Sequence, residues 1–254
     1  MKLIKPMLLE YQEEVSSEEG WLYEPKFDGI RLLAGNDYSY TRHSTITTSR
    51  FPELIYGGNE SLLDGELIAL GVESPDDFSG VMSRFSGNME QPILYKAFDI
   101  ISYKNKSVEY YPIEERKGLL TDVLSEIDSS HISLMPYVYT DGVSLFEVMK
   151  QNKMEGIVAK QLGTPYLRDT RSDNWRKIIN WSYHEVVVSG ITFKPLSVQF
   201  RNADGDYVGG TTIGFTKEIR SRLNTMKPPF LAKVKSRGWT SGGKLRLPQI
   251  VEIK

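Results

Sequence analysis

The chain is 254 residues long, with 40% apolar and 25% charged residues, the values of a folded globular protein with room for one large domain or two smaller ones. It has no cysteine, which excludes disulfides, thiolate metal sites and cysteine nucleophiles. The net charge of −2 conceals an asymmetry: residues 184–254 hold 12 Lys and Arg against 5 Asp and Glu, leaving 19 against 28 for residues 1–183. A basic tail suited to a polyanion therefore follows an acidic body. The opening MKLIKPMLLEYQEE lacks the apolar run of a signal peptide, and no stretch approaches a membrane span. The expected location is the cytoplasm, with no membrane partner.

In chain order, the first signals are for strands. WLYEPKFDGIRLLAGNDYSYTRH alternates in polarity and is cut at Gly29 and at Asn36-Asp37. In SLLDGELIAL, Asp64-Gly65 between apolar flanks predicts a hairpin turn. Ser74-Pro75-Asp76-Asp77 predicts a helix start, with the helix running to Phe85. ILYKAFDII is rich in strand formers. YPIEERKGLLTDVLSEI sets Ile113, Leu119, Leu120, Val123, Leu124 and Ile127 close to helical spacing. HISLMPYVYT reads as strand, GVSLFEVMKQNKM as a short helix and EGIVAKQ as a short β-branched strand. After WRKIINW the texture changes. HEVVVSGITFK, SVQFRNADGDYVGGTTIGF and GGKLRLPQIVEIK are strand-like and separated by Gly and Asp turns, with one helical stretch, TKEIRSRLNT. The reading is an α+β domain over residues 1–183 followed by a small β-barrel over 184–254.

The chemistry concentrates in EPKFDGIR, residues 24–31. In a strand, Glu24, Lys26 and Asp28 share one face and Phe27 takes the other. Gly29 lets the backbone turn or approach a ligand closely, and Arg31 offers a planar fork suited to phosphate or carboxylate. A solvated lysine, with a pKa near ~10.4, is a poor nucleophile at neutral pH; neighbouring cations or burial lower that pKa and activate it.

This string resembles motif I of the covalent nucleotidyltransferases: ATP-dependent DNA ligases, RNA ligases and mRNA capping enzymes. The resemblance implies that Lys26 attacks the α-phosphate of a nucleotide, with Glu24 at the adenine amino group and Arg31 among the nucleotide-binding residues. Further segments extend it. TRHSTITTSRFPEL resembles the ligase segment whose arginine contacts the 5′-phosphate of a nick, which implies that role for Arg42. LLDGEL is similar to the family's L-D-G-E-L and puts Glu66 at the ribose or the metal. AFDII resembles motif III, which implies Phe98 against the adenine with Asp99 beside it; the following PIEER gives Arg116 no role. EGIVAK is similar to motif IV, with Glu155 as a hard oxygen ligand for Mg²⁺ and Lys160 at the α-phosphate. RSDNWRKIINW resembles motif V, with Lys177 at its first lysine; the second lysine position holds Ile179, a departure that removes one cation. GGKLRLPQIVEIK resembles the start of motif VI, with Arg246 and Pro248 in place as candidates for pyrophosphate orientation, but the chain ends before that motif's Asp-Lys pair.

The match runs from KPMLLE, similar to the opening of small bacterial and phage ligase domains, to the last residue. It implies a nucleotidyltransferase domain of ATP-grasp-like antiparallel sheets with helices over 1–183 and an OB-fold over 184–254. It also implies ATP as nucleotide, Mg²⁺ or Mn²⁺ held by Glu66 and Glu155, nicked duplex DNA as partner, and a monomer. The implied reaction seals a 5′-phosphate/3′-hydroxyl nick through a lysyl-AMP and a DNA-adenylate. An RNA ligase and a GTP-using capping guanylyltransferase share the lysine chemistry. A catalytically weakened nucleic-acid-binding protein is the alternative outside enzymes, and Ile179 and the shortened motif VI are its support.

Overall fold

The structure is a computed structural model and describes residues 3–57, 60–70, 78–240 and 242–254. The chain divides into two compact units, Met1–Ile179 and Asn180–Lys254.

In the first unit the alternation of the N-terminal sequence becomes four strands: β1 (Leu8–Tyr11), β2 (Trp21–Lys26), β3 (Ile30–Ala34) and β4 (Ser39–Thr41). They are followed by β5 (Leu62–Ala69), helix α1 (Phe78–Phe85), the long β6 (Ile93–Tyr103), β7 (Lys106–Ser107) and helix α2 (Ile113–Glu126). The unit ends with β8 (Ile132–Leu134), β9 (Val138–Tyr139), helix α3 (Gly142–Gln151), β10 (Gly156–Gln161) and β11 (Arg171–Ile179). Two sheets result. One has the order β1-β11-β10-β2-β9; the other runs β4-β3-β5-β6-β7, with β8 pairing β6.

The period of two along each strand sorts residues into layers. On β2, Trp21 and Tyr23 pack with Phe146 and Met149 of α3, whereas Leu22 turns to the opposite side, beside Leu33, Phe98 and Trp175. On β3, Leu32 and Ala34 join Leu120 and Val123 of α2, while Leu33 faces the other way. The layer shared by Leu22, Leu33 and Phe98 thus draws on both sheets, and the functional residues lie in it. Helix α3 starts at Asp141, whose carboxylate accepts from the Ser144 amide at 3.2 Å.

The Asp64-Gly65 pair does not turn the chain. β5 runs through it unbroken from Leu62 to Ala69. A Cβ on Gly65 would stand 2.5 Å from the Tyr95 ring and 2.7 Å from the Lys96 carbonyl, so the glycine serves a close approach to β6, where the pairing register also shifts. Gly29 has a similar use: a Cβ there would meet the Leu67 carbonyl oxygen at 2.1 Å. The close approach is to the protein's own sheet. The expected helix start at Ser74–Asp77 lies outside the described residues; α1 is described from Phe78.

The second unit is antiparallel. It comprises β12 (Ser182–Phe193), β13 (Leu196–Arg201), β14 (Tyr207–Thr211), helix α4 (Lys217–Thr225), β15 (Phe230–Ser236) and β16 (Gln249–Ile253), in the sheet order β14-β13-β12-β15-β16. Val186, Val188, Phe200, Ala232 and Val234 fill its core with Ile219 and Leu223 of α4. The helix between the third and fourth strands, and the first strand at the centre of the order, describe an OB-type half-barrel. β15 was not marked in the sequence reading, although Ala232 and Val234 point inward between the outward Lys233 and Lys235.

Candidate active site

Register decides what meets at the site. β10 lies between β2 and β11, and directly paired residues share a face. Across the three strands the rungs are Leu22–Lys160–Trp175, Glu24–Val158–Lys177 and Lys26–Gly156–Ile179. Gly156 is required here: its φ is +144°, and a Cβ would sit 2.0 Å from the Ile178 carbonyl oxygen. From the other sheet, Arg31 of β3 pairs directly with Glu66 of β5. Glu24, Lys26, Phe27, Arg31, Glu66, Phe98, Lys160 and Trp175 are among the residues around one open pocket, whose empty space of about 420 Å³ includes solvent at its mouth.

The acids in and around this pocket are paired with cations. At one end the Lys26 ammonium lies 2.8 Å from a Glu155 oxygen. At the other, Glu24 is buried and carries two ammoniums: Lys117 of α2 on Oε1, and Lys160 on Oε2 at 2.8 Å. Lys160 also lies 4.4 Å from the Phe98 ring centroid and 4.1 Å from that of Trp175. Burial brings its pKa down to about 8, against the raising pull of Glu24. Arg31 spends its fork on Asp64, at 2.9 and 2.6 Å, and donates to the Met7 carbonyl at 2.7 Å. Burial pushes Glu66 up to about 7, although Lys26 and Arg31 pull it down. Lys177 is lowered by burial and by the fields of Lys26, Arg171 and Arg42. Lys26, Lys177, Arg171 and Arg42 therefore form one cationic neighbourhood.

Of the residues singled out in the sequence, Glu24, Lys26, Arg31, Glu66, Phe98 and Lys160 line the pocket, and Glu155 pairs with Lys26. Lys177 shares the rung of Glu24, and Arg42 is exposed but within electrostatic reach of Lys177. Arg246 belongs to the second unit, in the segment before β16, where its amide donates to the Gly238 carbonyl at 2.9 Å.

Two placements differ from the sequence reading. Lys160, expected at the α-phosphate, lies four rungs from Lys26, about 13 Å along the strands, and is tied to Glu24. Asp28 follows the end of β2, so of Glu24, Lys26 and Asp28 the first two alone share a face of the strand. The sequence reading missed Lys117, Trp175 and Arg116. Arg116 forks the buried Asp99 at 2.8 and 2.9 Å and keeps that carboxyl below its ordinary value in spite of burial. A signal for two of them existed: Arg116 and Lys117 stand at i+3 and i+4 from Ile113, on the buried stripe of α2 with Leu120 and Val123.

The donor set suits an adenine nucleotide. Phe98, Trp175, Met135 and Val158 give apolar walls for a flat base, Glu24 gives an acceptor at the inner end, and Lys26 gives a cation for phosphate. Among the described residues no group of three or more His, Cys, Asp or Glu is placed to hold a metal ion. Two carboxylates, Glu66 and Glu155, flank Lys26. That number suits Mg²⁺, which is typically held by one or two carboxylates and completes its shell with substrate phosphate and water. No helix among the described residues is long and apolar enough to cross a membrane.

Comparison with known proteins agrees with this geometry. Residues 5–178 match the family described as the ATP dependent DNA ligase domain. The SPbeta prophage-derived DNA ligase-like protein LigB of Bacillus subtilis is 34% identical over 268 residues, covering 96% of this chain and 97% of that one. The multifunctional non-homologous end joining protein LigD of Pseudomonas aeruginosa is 29% identical over 248 residues, and the match covers 88% of this chain but 29% of that much longer protein. A solved Lig E DNA ligase superposes with a TM-score of 0.78 at 16% identity, covering all of both chains, which shows that the two share a fold. A family match across more than half of the chain, and a full-length relative above 30% identity, place this protein among the ATP-dependent DNA ligases.

Proposed function

We propose that Lys26 is the nucleophile of an ATP-dependent DNA ligase that seals nicks in duplex DNA, acting as a monomer. The observation that carries this reading is the position of Lys26: β2 sets it at the cationic end of a base-sized pocket, 2.8 Å from Glu155 and close to Glu66 and Lys177. In the first step the Lys26 amine attacks the α-phosphorus of ATP, the bond to the bridging oxygen breaks, and pyrophosphate leaves. Lys26 must give up a proton to do so. Lys177 lies within electrostatic reach of Lys26, and Glu155 is near enough to hold the proton. Phosphoryl transfer depends mainly on positioning and charge stabilisation, and Lys177 is the cation best placed to share in it. A divalent metal held by Glu66 and Glu155 would offset further negative charge on the phosphates.

The base would lie against Phe98, with its amino group on Glu24. Lys160 then belongs to the base end of the pocket, beneath the ring system. AMP next passes to the 5′-phosphate of the nick, for which exposed Arg42 is the candidate contact. Attack by the 3′-hydroxyl closes the strand and releases AMP. The basic second unit supplies phosphate contacts, with Arg246 as the candidate for orienting pyrophosphate. The test is intact-protein mass after incubation with Mg²⁺ and ATP, GTP or NAD in turn, beside Lys26→Ala, followed by sealing of a nicked duplex. An AMP adduct from ATP alone that is absent in Lys26→Ala, and sealed product from DNA, are expected. An adduct that survives in Lys26→Ala would refute the assignment.

A further inference from the structure

Glu24 is held in an unusual way. Its carboxylate is 2% exposed and is shared by two buried ammoniums, one on each oxygen: Lys117 on Oε1 and Lys160 on Oε2. Lys117 comes from α2, 93 positions along the chain, and its ammonium also lies 4.7 Å from the centroid of the Tyr137 ring. Glu24 and Lys160 line the pocket, whereas Lys117 stands behind them. The adjacent buried pair, Asp99 with Arg116, is already balanced. The cluster around Glu24 therefore carries one cation more than its acid requires.

Stability alone does not call for that extra charge. Burying an ammonium costs desolvation, and a second cation on one carboxylate returns less than the first. An apolar side chain of similar length at 117 would leave Glu24 and Lys160 as a neutral pair. What Lys117 adds is orientation. With a tether on each oxygen the carboxylate plane is pinned, and the remaining lone pairs keep fixed directions. A carboxylate in this state only accepts hydrogen bonds. It welcomes an exocyclic amino group and repels a carbonyl oxygen at the same position.

We propose that Lys117 is a positioning residue that sets the pocket's choice between amino and oxo purines, by fixing Glu24 from behind. The proposal rests on the adenylylating reading of the pocket. It assigns the preference for adenine to a three-residue unit, Lys117–Glu24–Lys160, assembled from α2, β2 and β10. With one tether gone the carboxylate swivels about Lys160, and its alignment with the amino group is lost.

The experiment compares ATP with inosine triphosphate, which carries an oxo group where adenine carries the amino group, as substrates for self-adenylylation at saturating Mg²⁺. In Lys117→Met the ratio of kcat/KM for ATP over inosine triphosphate is expected to fall roughly tenfold, the worth of one hydrogen bond to a charged group. The fall is expected mostly through a raised KM for ATP. Lys117→Arg, which restores a cation on Oε1, is expected to recover most of the ratio. A purely structural role would lower the melting temperature and leave the ratio unchanged, and that result would overturn the proposal. If Lys117→Met does not fold, Tyr137→Leu loosens Lys117 without removing its charge; a ratio equal to wild type there would overturn the proposal equally. Absence of any adduct in the wild type, from either nucleotide, would overturn both this proposal and the reading beneath it. A Lys117→Met adduct with unaltered preference would overturn this one alone.

Discussion

Glu66 is a site residue that the folded protein pays to keep, and Glu66→Gln measures the cost. Its carboxyl is half-buried beside Lys26 and Arg31, and burial still outweighs their attraction, raising the pKa from 4.5 to about 7. A carboxyl whose folded pKa lies above its unfolded value favours folding below the unfolded pKa. That contribution is lost as pH rises through the folded pKa. The window here runs from about pH 4.5 to about pH 7. That displacement corresponds to about 3.4 kcal/mol at most, and about 2 kcal/mol after allowing for the water that reaches a half-buried group. Glutamine keeps the shape and cannot ionise. Relative to wild type, Glu66→Gln should therefore gain about 2 kcal/mol between pH 5 and pH 8, read from urea midpoints at constant m-value in the absence of nucleotide and metal. If Glu66 holds the divalent ion as proposed, the same variant should lose self-adenylylation with Mg²⁺. A stability difference that does not change with pH, or one that favours wild type more at pH 8 than at pH 5, would refute the reasoning.

Two other substitutions test separate parts of the argument. Arg42→Ala should weaken binding to nicked duplex and reduce the slope of log K against log salt by about 0.9, the share of one phosphate contact, while self-adenylylation persists; an unchanged slope would remove Arg42 from the interface. Gly65→Ala should destabilise the first unit by about 1 to 3 kcal/mol, because its Cβ would stand 2.5 Å from the Tyr95 ring and 2.7 Å from a backbone carbonyl; a neutral urea midpoint would mean that β5 and β6 separate more easily than their packing indicates.

The legibility of the site in the sequence depended on distance along the chain. Glu24 and Lys26 were readable together because alternate strand residues share a face, and both line the pocket. The pairing of Lys26 with Glu155 joins two motifs that the resemblance had already connected. Lys160 was readable as a site residue but not in its place, since its partners, Glu24, Phe98 and Trp175, come from three other strands. Lys117 was passed over because a charge on an amphipathic helix is usually a solvated one. Its position on the apolar stripe of α2 was the signal against that rule. Asp64-Gly65 misled for the opposite reason. The dipeptide is a strong local turn signal, but a glycine is also what a central strand needs where a neighbouring aromatic ring crowds its backbone, and tertiary packing decided between the two.

The ion pairs also separate what holds the pocket from what works in it. Asp99–Arg116 and Glu24–Lys160 are deeply buried and Asp64–Arg31 is mostly so, and breaking such a pair by removing one partner leaves a stranded charge at a cost of about 3 to 5 kcal/mol. These pairs stay intact while a ligand enters and leaves, because exchanging them in each turnover would carry that cost, so Glu24 can meet a base only with its lysines still attached. Lys26–Glu155 differs. The Lys26 side chain is 20% exposed and that of Glu155 5%, at the cationic end of the pocket. A phosphate can take the place of Glu155 beside Lys26, and a divalent ion can take the place of Lys26 beside Glu155, with no net charge left unmatched. Among these four groups of pairs, the one most open to exchange is therefore the one that contains the proposed nucleophile. A rigid set of buried pairs fixes the base end, and the exchange of partners that the chemistry demands is confined to the other end.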